Sequence, residues 1–93
     1  MREIEPTTRF RRDYKREFSG PLGKKLEGLL RPILDLLAAD QPLPQRHRDH
    51  PLAGEWQDHR NCHIRADLVL IYRKAGDDTL QLVRLGSHIE SGL

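Results

Sequence analysis

Ninety-three residues, 37% of them hydrophobic and 32% charged, can close one hydrophobic core and not two, so a single domain over residues 1–93 is expected. The formal net charge of +2 conceals clustering: Arg9, Arg11, Arg12, Lys15 and Arg16 share one segment, and Arg46, Arg48, Arg60 and Arg65 another. No apolar run is long enough to cross a bilayer, the N-terminus lacks the apolar core of a secretion signal, and the single Cys62 cannot form an internal disulfide, so a cytoplasmic protein without membrane contact is expected.

The opening REIEP alternates and stops at Pro6, which predicts a short strand. Thr7 or Thr8 then caps a helix on which Phe10, Tyr14 and Phe18 form an apolar stripe, and SGP at residues 19–21 ends it. In the next segment Leu22, Leu26, Leu29, Leu30, Ile33, Leu34 and Leu37 recur at spacings of three and four, predicting the main core helix. Pro32 lies inside that pattern, where a missing donor and a clash with the preceding turn cost roughly 3 kcal/mol, so a kink near Arg31 is expected.

ADQPLPQRHRDHPLAGEW is a long connection rich in Pro, His and Arg, and connections of this length inside a compact domain usually carry function. From residue 59 short β-rich runs follow, HRNCHI, LVLIYRK and TLQLVRLGSH, separated by turns at RAD and AGDD. They predict a three-stranded antiparallel meander. Two N-terminal helices laid on one face of it would bury the leucine stripe, giving an α+β fold with the other face partly open.

His50 lies just before the meander, His63 at the end of its first strand, Asp67 at the start of its second and His88 after its third, so antiparallel pairing can gather all four at one sheet edge. Arg84 shares strand parity with His88. Histidines with a carboxylate and arginines suit RNA cleavage without metal or cofactor: a base takes the 2′-hydroxyl proton, an acid protonates the leaving 5′-oxygen, and guanidinium groups stabilise the phosphorane. Arg46, Arg48, Arg60, Arg65 and Arg84 are the candidate RNA-binding cations. Asp67 could orient a histidine, or simply cap its turn. His47 and His59 read as surface histidines, Trp56 as a packed anchor and Cys62 as a small buried hydrophobe. Zinc could be held by His47, His50, His59 and Cys62 or His63, but their spacing matches no standard zinc motif.

The strings RDHPLAGEWQDHRNCHIRADLVLIYRK and LQLVRLGSH, with TTRFRRDYKR and the leucine-rich helix before them, resemble the YafQ family of bacterial toxins within the RelE/ParE superfamily. That resemblance implies a RelE-like fold, an mRNA interferase that cuts translated mRNA in the ribosomal A site, and a cognate antitoxin. By position it implies catalytic roles for His50, His63, Asp67 and His88, with His88 favoured as the acid and His50 or His63 assisting proton removal. The chain departs from the family pattern at Gly92, where a large aromatic is usual, at Leu68, where tryptophan is common, and at Asn61, where an acid is frequent. These departures bear on base stacking and groove electrostatics. A ParE-like gyrase inhibitor and a catalytically degenerate, antitoxin-binding relative are the alternative readings.

Overall fold

The computed structural model describes residues 1–87, so His88 and Gly92 lie outside the described residues. The elements run β1 (Glu3–Pro6), α1 (Thr8–Phe18), α2 (Lys25–Ala38), β2 (His50–Pro51), β3 (Arg60–Arg65), β4 (Leu68–Ala75) and β5 (Thr79–Gly86). The strands form a five-stranded mixed sheet in the order β1-β5-β4-β3-β2. This enlarges the expected antiparallel meander by an edge strand on each side, one of which, β1, pairs with β5 in parallel.

The parallel pairing of β1 is a long-range event. Arg2 donates from its backbone N–H to the Ala38 carbonyl at 2.7 Å, and its guanidinium meets Asp40 at 2.8 Å and the Gly76 carbonyl at 2.8 Å. Hydrogen bonds from Lys74 and Arg2 pull the exposed Asp40 carboxyl down to about 2. At the far end Thr7 turns the chain away from the sheet. Its hydroxyl donates to the Leu82 carbonyl at 2.9 Å and accepts from the Phe10 N–H at 3.2 Å, capping α1 while tying it to β5.

Beyond β1 the edge of β5 would be bare, and α1 supplies the missing partners. Asp13 accepts from the Leu85 N–H at 3.0 Å and Arg16 donates to the Leu85 carbonyl at 2.9 Å, so two helix side chains occupy the place of a strand. Asp13 is only 4% exposed and also binds the Arg84 guanidinium at 2.7 Å. Burial by itself would raise its carboxyl, but the hydrogen bonds from Arg84 and Leu85 and the charges of Arg84 and Arg16 prevail and hold it below 3.8.

Leu26, Leu30, Ile33, Leu34 and Leu37 of α2 and Phe10 of α1 form the core with Leu68, Leu70 and Tyr72 of β4 and Leu80, Leu82 and Leu85 of β5. Burying each such side chain is worth about 1.5–3 kcal/mol. Phe18, the last residue of the expected stripe, stays exposed, with its ring stacked on Tyr14 at 6.3 Å. Pro32 does not break α2: it and Gly28 are exposed, so the carbonyl deprived of its partner faces solvent.

The far face of the sheet is less open than its pattern predicts. Val69 and Ile71 alternate with the core-facing leucines of β4 and so point away from the helices, yet they are 1% and 0% exposed. The connection from β2 to β3 reaches α1, where its Glu55, Trp56 and His59 line one depression with Arg9. No described helix is long and apolar enough to cross a membrane.

Candidate active site

β2 is two residues long, and its placement decides where His50 stands. Asp49, just before it, accepts from the Tyr72 hydroxyl at 2.6 Å and from Arg60 Nε at 3.2 Å. Tyr72 belongs to the core, where burial and the Asp49 carboxylate push its phenol up, so it remains a donor. This anchor fixes the strand from behind. The register then sets His50 opposite Asn61, which is opposite Ile71, and His63 opposite Val69, which is opposite Gly86. Directly paired residues share a face, and so do residues two apart on a strand. His50 and His63 therefore project from adjacent strands on the face away from the helices, and Gly86 places no side chain in the His63 row.

Three imidazoles have their tautomers set by the backbone. His50 Nδ1–H donates to the Arg48 carbonyl at 2.6 Å, His47 Nδ1–H to the His63 carbonyl at 2.6 Å and His59 Nδ1–H to the Gln57 carbonyl at 3.2 Å. A carbonyl only accepts, so the proton of each neutral ring sits on Nδ1 and Nε2 keeps its lone pair. His50 is exposed, and its Nε2 is thus a base open to solvent. Arg48, whose carbonyl holds it, adopts a left-handed backbone at φ 46°, a conformation costly for a residue with a side chain.

The expected cations divide into two groups. Arg46 and Arg48 are exposed, form no ion pair with another described residue, and line a hollow of about 540 Å³ with His47, His63 and Arg65. Arg60 and Arg84 instead hold Asp49 and Asp13 in place. Arg65 binds Asp67 at 3.0 Å, and the Asp67 side chain, 75% exposed, shares a cleft with Glu17 and Lys25 at the junction of the helices. The structure thus brings His50 and His63 together and sets Asp67 beside an arginine rather than a histidine.

Sequence reasoning read His47 as a surface histidine, passed over Asp49 and treated Asn61 only as a departure. His47 is in fact half-buried beside His63, and Asp49 directly precedes His50. Asn61 is 2% exposed, and its Oδ1 is the buried side-chain acceptor without a partner among the described residues. Such an orphan costs about 1–3 kcal/mol, and its position between His50 and Ile71 ties that cost to the histidine face. Asn61→Leu, close in shape and without the orphan, is expected to leave stability unchanged or raise it by about 1 kcal/mol while lowering activity. Chemical unfolding and an activity assay on the same preparation check this; loss of both together would refute it.

Among the described residues no three His, Cys, Asp or Glu side chains come together, and Cys62 is shut in the core, where burial foremost pushes its thiol up.

A family model described as the bacterial toxin of the type II toxin-antitoxin system, YafQ, matches residues 2–91. The mRNA interferase toxin YafQ of Escherichia coli K12 is 33% identical over 88 residues, covering 95% of this chain and 92% of its own length. A Haemophilus influenzae relative bearing the YafQ name is 46% identical over 55 residues; that match covers 56% of this chain and about half, 54%, of the relative. A copper-bound toxin variant from Helicobacter pylori superposes with a TM-score of 0.86 at 33% identity, covering 97% of this chain and 98% of that one. The toxin of the Escherichia coli DinJ-YafQ complex does so at 0.76 and 31% identity, covering 97% of each chain. The two helices on a five-stranded sheet are the architecture of these toxins.

Proposed function

Because this chain belongs to the YafQ family of bacterial toxins from type II toxin-antitoxin systems, we propose that it is an endoribonuclease that cuts mRNA under translation, in the ribosomal A site, through histidines and without a metal. The observation that carries this reading is the placing of His50 and His63 on one sheet face, with the His50 Nδ1 proton held by a carbonyl and its Nε2 left as a base.

Nε2 of His50 takes the proton of a ribose 2′-hydroxyl as that oxygen attacks the adjacent phosphorus. The bond to the 5′-oxygen breaks, a second imidazole returns a proton to it, and a 2′,3′-cyclic phosphate and a 5′-hydroxyl result. His88 is assigned as that acid, and His63 holds the reacting ribose-phosphate beside His50. Arg46, Arg48 and Arg65 supply the charge that the phosphorane needs. Asp67, through its ion pair, positions Arg65. Arg60 and Arg84 act by keeping β2 and β5 in register. The Escherichia coli relative is found with the antitoxin DinJ, which supports a cognate antitoxin for this toxin as well.

Mapping of mRNA 5′ ends after brief induction tests the reading. Wild type is expected to generate new ends inside translated codons, and His63→Ala and His88→Ala to generate none. Protein treated with a chelator and dialysed should still cut when added to a translating extract that retains its own magnesium. Growth arrest with DNA damage and intact transcripts would overturn the nuclease assignment in favour of a gyrase-directed toxin.

A further inference from the structure

Arg9 and Glu55 face the same hollow of about 300 Å³ with Trp56 and His59, yet they form no ion pair. Opposite charges left apart across an open space keep their hydrogen-bonding capacity for something else. Arg2, Arg16, Arg60 and Arg84, by contrast, each hold an acidic partner within 3.2 Å. Arg9 also lines the adjoining depression with Arg12, which is likewise without an acidic partner among the described residues.

The hollow is built rather than incidental. Trp56 is half-buried in a 3-10 turn, Gly54–Trp56, entered through Gly54 at φ 67° and closed by the His59 N–H on the Trp56 carbonyl at 3.0 Å. His59 meets the indole edge-on, with ring centres 5.3 Å apart. The turn follows His50–Pro51 directly in the chain and precedes the strand that carries His63.

An aromatic face, a guanidinium and a carboxylate around one concavity suit a nucleotide: the base stacks, its N–H groups meet the carboxylate, and its phosphate meets the arginines. We propose that Trp56, Arg9, Arg12 and Glu55 form a subsite for one nucleotide of single-stranded RNA flanking the cleaved bond. This rests on the nuclease reading for its place in the reaction, but not for its test.

Trp56 is the sole tryptophan, so its fluorescence reports on this hollow alone. The intact protein is titrated with a short labelled uridine-rich RNA, followed by both label anisotropy and indole emission, and with RNAs in which successive nucleotides are abasic. Binding with quenching is expected, and one abasic position should weaken both by about five-fold or more. Arg9→Ala, on an exposed position, should weaken binding several-fold without changing the melting temperature. Binding without quenching, equal affinity for every abasic RNA, or no binding at all would each overturn the subsite. Because no cleavage is measured, these outcomes are independent of the mapping that tests the nuclease.

Discussion

His50→Ala is expected to lower the rate of RNA cleavage by about 10²–10⁴-fold, the range set by loss of a positioned base in the proton transfer, while leaving the melting temperature unchanged. The second half of that statement gives the first its meaning. His50 is exposed, its one hydrogen bond runs to a carbonyl two residues away, and β2 is held independently by Asp49, Tyr72 and Arg60. Removing the imidazole therefore takes away a base and almost no packing. Single-turnover cleavage by purified wild type and variant, paired with thermal melts, is the measurement. A variant that melts normally and cuts within a few-fold of wild type would remove His50 from the chemistry.

Asp13→Ala is expected to lower the unfolding free energy by about 3 kcal/mol at neutral pH. It leaves the Arg84 guanidinium, 17% exposed, and the Leu85 N–H without their acceptor. Arg16 adds little, because its side chain is 43% exposed and screened by water. The effect also depends on pH. The folded state holds the Asp13 carboxyl below its ordinary 3.8, so it binds a proton less readily than the unfolded chain does. The stabilisation is complete above that value and is lost as pH falls through the lower folded value. Asp13→Asn, which keeps the shape but not the charge, should be less stable than wild type at pH 7, and the gap should narrow below pH 3.8. Urea unfolding at both pH values decides it; a gap that stays constant would mean that the charge of Asp13 contributes nothing.

Both residues bear on how far the chain could be read before it was folded. The leucine spacing of α2, the apolar run of β4 and the alternation in β5 were legible because a helix or strand imposes its period on neighbours in sequence. The turn at Gly76, with φ 60°, was legible for a similar reason, since a residue without Cβ marks a backbone that others avoid. Pro32 leaves α2 continuous, because the donor it lacks lies on the side of the helix that meets water. The candidate histidines were picked out by residue type and by resemblance, and register sets two of them, His50 against Asn61 and His63 against Val69, on one face.

By itself the sequence determined the two helices, the three strands of the meander, the leucine face of α2 and the family, because each of these is written in residue type and short-range spacing. Only the tertiary structure decided that β1 joins β5 in parallel, that Asp13 completes an edge from 72 residues away, and that Arg60 and Arg84 turn inward while Arg46 and Arg48 stay available. The reason is that a guanidinium carries no local mark of its partner. Which carboxylate it takes is settled by distance and burial, and those exist only once the chain has closed.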